Sequence, residues 1–316
     1  MYYCSLYGNI YKQGLIRKYK IDQNLSVRLD KYLKIKFSAL TQSFIEKNIR
    51  KKNILVNNSK KTSKYIIQLN DEIKILNFHK DKYKNKIIFK KNKQVSKKII
   101  QNFKSCIIFQ NDDFIIFNKW SSIATQGGSK INISIDDIIK FVSSDYRLVH
   151  RLDKDTSGLL IIAKNLKTAK IFGNLFKLGV IEKTYIALCE GKPKLMESNV
   201  NLDIKNKHNK IENTKTLYKV LETNNSVSLI LYKPLTGKTH QLRIVSKKLG
   251  CPIIGDKKYN RFSKFQAEEL KLNAFNLKFL YKDKIFEFSS KLPKNISIFM
   301  KKNKFKDLNK DNIFKL

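Results

Sequence analysis

The densest chemistry in this sequence lies in the run His150-Arg151-Leu152-Asp153-Lys154-Asp155-Thr156-Ser157-Gly158-Leu159-Leu160. Two carboxylates, Asp153 and Asp155, follow a basic pair. Asp, Thr, Ser and Gly together predict a tight loop. The apolar run that follows, Gly158 to Lys164, predicts a buried strand, which puts the loop at the mouth of a sheet. Loops at strand ends are where rigid scaffolds display catalytic side chains. The bland reading is a solvated turn in which Asp155 and Thr156 serve as caps. Pattern alone leaves both readings open.

The basic residues add a second signal. Lys and Arg number 65 against 26 Asp and Glu, a formal net charge of +39. Such a field favours a polyanion, nucleic acid first and an anionic membrane second. Lys, Asn and Ile dominate throughout, as compositional drift would cause, so about half of the excess is credited to drift. Against that drift, Arg stands only at 17, 28, 50, 147, 151, 243 and 261. Lys replaces Arg wherever a point charge suffices, but not where a planar fork or stacking surface is needed. Arg28, Arg50, Arg147, Arg151 and Arg243 are therefore candidates for geometric roles.

Other chemistries find little support. Cys4, Cys106, Cys189 and Cys251 are scattered, and His79, His150, His208 and His240 do not cluster with them, so no metal site is expected. The cysteine usage fits a reducing compartment, and a cytoplasmic location is expected. No apolar run approaches a membrane span. Met1 to Lys20 lacks the apolar stretch of a secretory signal and reads as a basic arm rather than an organelle-targeting segment.

The elements that must position these residues fall into two domains. Hydrophobic residues make up 42% of the chain, enough for a sizeable core. After the arm at 1–20, residues 21–79 form a compact unit. A stripe of Val27, Leu29, Leu33 and Phe37, capped by Ser26 or Asn24, predicts one helix. Leu40, Phe44, Ile45 and Ile49 predict a second helix over 39–50. Short strands follow at 54–58 and toward Ile75. Residues 80–104 carry dense Lys without periodicity and read as a basic linker. From 105 to 300 short strands outnumber helices without strict alternation, which predicts an α+β domain on a largely antiparallel sheet. Residues 301–316 read as a basic tail.

Two helices and a small sheet, with Arg28-Leu29-Asp30-Lys31, Phe44-Ile45, Ile54-Leu55-Val56-Asn57 and Asn70-Asp71-Glu72-Ile73, resemble the S4 RNA-binding domain. The resemblance implies that Arg28, Lys31, Gln42, Lys47 and Arg50 face RNA phosphates, where contacts position without reading sequence. A solvated basic face on an adaptor domain is the alternative.

The run from His150 to Leu160 is similar to the signature of the RluA-type pseudouridine synthases. Lys183-Thr184-Tyr185 resembles that family's Lys-x-Tyr strand. Thr236 to Ile244 with Leu249 to Tyr259 resembles its third motif, and Asn118-Lys119 with Gly127-Gly128 its opening segment. An S4 domain ahead of the synthase domain is common there, and the combination is most like the large-subunit ribosomal RNA synthases of the C subgroup. Three positions depart: Lys238 replaces Arg, Val245-Ser246 replaces Val-His, and Trp120 stands where Pro is usual.

The resemblance implies a pseudouridine synthase fold and isomerisation of specific uridines in RNA, ribosomal RNA first. Asp153 is then the nucleophile and Asp155 a loop brace. Arg243 is its bidentate charge partner. Tyr185 stacks on the uracil and serves in proton removal from C5, and Leu242 packs beneath the base. Arg151 fills the space of the extruded nucleotide. His150 shapes the loop against the substrate, and His240 is a structural residue at a helix start. No cofactor is expected, since nothing is oxidised and no group imported. The partner is RNA, free or in an assembling ribosomal particle, with no membrane and a monomeric protein. The alternatives are a transfer RNA or mixed substrate, and a non-catalytic S4-type ribosome assembly factor.

Overall fold

The computed structural model describes residues 15–23, 26–85, 95–128, 131–206, 209–224, 226–306 and 308. The chain divides into two compact units, residues 1–92 and 93–316.

The first unit runs β1 (Leu15–Lys20), α1 (Leu29–Lys36), α2 (Gln42–Arg50), β2 (Ile54–Val56) and β3 (Glu72–Phe78). Strand β3 lies between β1 and β2, antiparallel to both. Leu29 and Leu33 of α1 and Ile45 and Ile49 of α2 bury their stripes against Ile54, Val56, Ile73 and Ile75. The Thr41 side chain accepts the Phe44 N–H and starts α2. Helix α1 instead starts at Arg28 with no side-chain cap, so Ser26 does not fill the expected role. Asn24 lies outside the described residues. Leu15–Lys20 is not part of an arm. It is an edge strand whose mostly exposed side chains give no apolar pattern, and it is held by backbone pairing with β3. Residues 1–14 of the expected arm lie outside the described residues.

The second unit runs α3 (Lys97–Ser105), β4 (Ile107–Gln110), β5 (Phe114–Lys119), α4 (Ile135–Val142), β6 (Arg147–Leu148), β7 (Ser157–Ala163) and α5 (Leu166–Leu178). It continues with β8 (Glu182–Glu190), β9 (Glu197–Lys205), β10 (Ile211–Thr223), β11 (Val227–Pro234), α6 (Gln241–Lys248), β12 (Leu272–Tyr281), β13 (Lys284–Ser289) and α7 (Lys294–Lys302). The strands form one ten-stranded sheet in the order β4-β5-β7-β12-β8-β11-β10-β9, with β13 beside β12 and β6 beside β7. Among the described pairings between these strands only β7 with β12 is parallel. This is the expected α+β architecture.

Two domain edges move. The end of the expected linker is helix α3, capped by Ser96 and anchored by Phe103, whose ring stacks on Phe117 at 4.7 Å. Its three lysines mask the apolar side formed by Ile99, Ile100 and Phe103. At the other end α7 packs Ile296, Phe299 and Met300 into the core, and Phe305 is also buried. The packed domain therefore extends past residue 300, and the tail's last residues, 309–316, lie outside the described residues. Strand β9 was not expected. Its Val200, Leu202 and Ile204 alternate at period two, the signal that marks it.

The centre of the sheet positions the site. Strand β7 is buried along its whole length, and each fully buried Leu or Ile there contributes about 1.5–3 kcal/mol. Gly158 has φ +110°, and an added Cβ would lie 2.3 Å from the Ala274 carbonyl oxygen on β12. Only glycine lets the two strands meet where the Asp153 loop enters the sheet.

Candidate active site

The loop ahead of β7 is braced by the segment that follows β5. Thr125 Oγ1 donates to the Leu152 carbonyl at 2.7 Å and accepts the Leu152 N–H at 3.2 Å. Ser121 Oγ donates to the Asp155 carbonyl at 3.0 Å. Lys119 is buried, and its Nζ donates to the carbonyls of Trp120, Ile123 and Lys154 at 3.0, 3.0 and 2.9 Å. Burial pulls the Lys119 pKa down to about 7, with the Asp155 and Asp153 charges opposing. Three carbonyls match the three N–H bonds of an ammonium group. Position 155 thus braces through its backbone rather than its carboxylate. These braces satisfy the loop's carbonyls and fix the loop that carries Asp153.

Asp153 faces the start of α6. Arg243 Nη1 donates to Asp153 Oδ2 at 3.4 Å, and His240 Nε2 lies 3.7 Å from the same oxygen. The Arg243 fork itself engages a different carboxylate: Nε and Nη2 each reach Asp256 at 2.7 Å. This corrects the expectation of a bidentate Arg243–Asp153 pair. Burial of Asp256 raises its pKa, but Arg243 and the backbone N–H groups of Lys258 and Tyr259 outweigh it and hold it low. Arg243 is thus aimed from behind, with one edge left for Asp153. His240 has φ +57°, a left-handed conformation in a non-glycine residue. Its ring Nδ1 sits 3.1 Å from the Tyr259 hydroxyl, and the Tyr259 ring lies under the Arg243 guanidinium at 5.2 Å. Strained backbone of this kind collects at functional sites. His240 starts α6 as expected, but its side chain belongs to the Asp153 cluster, which the sequence reading missed. Asp256 and Tyr259 lie within the third motif, and only their contacts reveal what they do.

A cleft of about 620 Å³ opens over this cluster, lined by His150, Arg151, Asp153, Lys183, Tyr185, Leu242 and Arg243 among others. The volume suits a nucleotide-sized ligand. Burial, then the Asp153 charge, pushes the Tyr185 hydroxyl far above its ordinary pKa, so the ring is a neutral phenol. Leu242 presents a buried apolar surface to the same space. Arg151 is exposed on the cleft's rim, with no hydrogen bond or ion pair among the described residues. His150 is held from behind: its Nε2 accepts the Ile161 N–H at 2.8 Å, and its ring stacks on Phe176 at 4.4 Å. Burial, then the nearby Lys183 charge, brings its pKa down to about 3. That makes it a neutral buttress of the loop.

The three departures from the family pattern have local explanations. Lys238 Nζ pairs with Glu212 at 3.5 Å, where a point charge suffices. Ser246 is buried, donates to the Leu242 carbonyl and meets the Tyr232 hydroxyl, both at 2.8 Å. Trp120 packs edge-on against Phe117, and its carbonyl receives Lys119.

In the first unit Lys31, Lys47 and Arg50 are exposed on α1 and α2. Arg28 spends Nε and Nη2 on the buried Asp30, at 3.1 and 2.6 Å, leaving Nη1. Both amide hydrogens of Gln42 are spent, one on Asp30 and one on Glu46, each at 3.1 Å. Gln42 is therefore a brace with no donor for a phosphate, because the neighbouring carboxylates claim it first. Burial raises the Asp30 pKa, but the Arg28 and Gln42 donors outweigh it and lower it.

An aspartate on a braced loop at the mouth of a mixed sheet, an arginine steered onto it and a tyrosine beside it define a class. The chain belongs to the RNA pseudouridine synthase family. It matches the RNA pseudouridylate synthase model over residues 113–248 and the S4 domain over residues 27–73. It is 40% identical over 297 residues to ribosomal large subunit pseudouridine synthase C of Rickettsia conorii, covering 86% of this chain and 95% of that protein. To the protein of the same name from Rickettsia bellii it is 39% identical over 261 residues, covering 76% and 84%. The solved structure of human RNA pseudouridylate synthase domain containing 4 shares the fold, with TM-score 0.61, 22% identity and coverage of 70% of this chain and all of that one. No described helix is long and apolar enough to cross a membrane.

Proposed function

We propose that this enzyme converts specific uridines of large-subunit ribosomal RNA to pseudouridine, with Asp153 as its nucleophile. The observation that carries the reading is Asp153 in a nucleotide-sized cleft, with Arg243 Nη1 3.4 Å from it and Tyr185 lining the same space. The ribosomal substrate is taken from the names of the relatives. The target uridine leaves its stack at a cost of a few kcal/mol, roughly, and its base enters the cleft. There the N1–C1′ bond breaks, the uracil turns, and a C5–C1′ bond forms. The C5 hydrogen leaves as a proton and N1 gains one, so atoms balance without a redox partner or an imported group. Asp153 supplies the negative charge at the sugar or base. Arg243 orients it, and Tyr185 and Leu242 hold the uracil between them. Arg151 occupies the vacated position in the RNA, and His150 holds the loop beneath the substrate. Lys31, Lys47, Arg50 and the free edge of Arg28 hold phosphates. The enzyme acts as a cytoplasmic monomer, on free ribosomal RNA or an assembling particle.

Asp153→Ala is expected to abolish tritium release from C5-labelled uridine in a ribosomal RNA fragment while leaving RNA binding within about two-fold, since phosphate contacts supply most of the affinity. Retained turnover would overturn the assignment. Mapping pseudouridines in ribosomal RNA with and without the gene tests the substrate: unchanged maps remove it.

A further inference from the structure

The segment from Asp256 to Glu268, between α6 and β12, is a loop whose ends meet. Gly255 lies so close to Glu269 that an added Cβ would come 2.2 Å from its carbonyl oxygen, and Lys271 N–H donates to the Ile254 carbonyl at 2.9 Å. Loops of this Ω type are packed by their own side chains. Here the anchor is Glu190 at the end of β8. Its carboxylate accepts from Asn260 Nδ2 at 3.0 Å, from Ser263 Oγ at close range and from the Lys264 N–H at 3.4 Å.

Between these anchors Phe262 points into solvent. It is 99% exposed, and no other large apolar side chain among the described residues exceeds the 73% of Ile35. A single exposed apolar residue is ordinary. This one is distinguished by its setting. The loop on both sides of it is tied to one carboxylate, so the ring is presented from a fixed base. It is surrounded in sequence by the exposed cations Lys257, Lys258, Arg261 and Lys264. Arg261 is one of only seven arginines among 65 basic residues. Finally, Phe262 follows Tyr259 by three residues, and Tyr259 touches His240 and Arg243. Three residues span at most about 11 Å, so the Phe262 backbone stays within that reach of Tyr259.

An aromatic face flanked by positive charge is the usual platform for an unpaired nucleotide, the ring stacking on the base and the cations meeting phosphate. A protein partner would have to be acidic to accept the same surface, whereas RNA is already the substrate class of the family. We propose that Phe262, with Arg261 and Lys264, is a stacking platform for an unpaired base of the substrate RNA outside the cleft that takes the target uridine. It is a binding determinant outside the catalytic cluster. The inference rests on RNA being the substrate and is read by binding, apart from turnover.

The test measures the affinity of the Asp153→Ala protein for a single-stranded ribosomal RNA fragment, with Phe262→Ala, Phe262→Leu or Phe262→Trp added. Ala and Leu are expected to weaken binding roughly ten-fold, as loss of one base–aromatic stack does, and Trp to keep it. Phe262 has no packing role, so thermal melts of all three should superimpose. In the active protein Phe262→Ala and Phe262→Leu raise KM and leave kcat unchanged. Equal affinity for all variants would overturn the platform, and Leu binding as well as Trp would overturn stacking. Either result would leave the isomerase reading standing, whereas tritium release that survives Asp153→Ala would strike that reading alone.

Discussion

Arg243 divides its donors between two carboxylates, and that division decides what a substitution does. Nε and Nη2 are committed to Asp256, and Nη1 is what remains for Asp153. A lysine has three donors on one rotating atom and cannot span two carboxylates set on opposite edges of a plane. Arg243→Lys is therefore expected to lower kcat at least about 100-fold, the loss of roughly 2.7 kcal/mol of transition-state positioning, with the fold retained. Single-turnover tritium release checks this, and near-normal turnover would mean that the fork geometry is irrelevant. Asp256→Asn acts on stability as well as rate. It leaves the buried guanidinium with only the 3.4 Å contact to Asp153 for counter-charge, a loss below the about 3–5 kcal/mol of a fully broken buried pair, and a thermal melt at constant pH reads that.

At the scale of elements, the loop that carries Asp153 is held at both ends by groups whose protonation matters. Its first residue, His150, accepts the Ile161 N–H of β7, which requires a neutral ring nitrogen. The pKa of His150 is about 3 when folded, below the value of 6.5 that an unperturbed histidine has. Between those values the unfolded chain binds the extra proton and the folded chain does not, so acid favours unfolding. The contribution of His150 is present above pH 6.5 and is lost as pH falls toward 3, by roughly 3 kcal/mol after allowing for partial solvent access. Tm should therefore drop between pH 6.5 and 4. In His150→Gln, which keeps an acceptor but does not titrate, that drop should shrink. If the variant and the parent fall in parallel, His150 is not the group responsible. The other brace, Lys119 on three carbonyls, joins the β5 end to the loop and was visible beforehand only as a member of a short motif.

At the scale of the whole molecule, a net charge of +39 gives attraction for RNA from any direction, and the S4 unit must add contacts above that background. Lys47→Ala with Arg50→Ala is expected to flatten the dependence of log affinity on log salt by about one to two units, because each lost phosphate contact removes close to one. An unchanged slope would mean that α2 does not face phosphate. Gln42→Ala should leave the slope alone, since its donors are already held by Asp30 and Glu46.

Much of this protein was legible without coordinates. The two domains, the α+β class and the loop of Asp153 follow from apolar periodicity, turn residues and a motif that is contiguous in the chain. The persistence of Arg243 against a drift to Lys also pointed to geometry, and its fork is engaged, on Asp256. What escaped were features whose causes are not local. Strand β1 is recruited by hydrogen bonding along an edge, which needs no apolar pattern. Helix α3 hides its apolar side among lysines until Phe103 finds Phe117. Asp153 and Arg243 stand 90 residues apart, and the sequence by itself, through its motifs, grouped the two. Only the tertiary structure decided that Asp256 takes the fork and leaves Asp153 a single edge. Motifs record which groups must meet, whereas the sharing of donors is set by distances of less than one ångström between side chains from different elements.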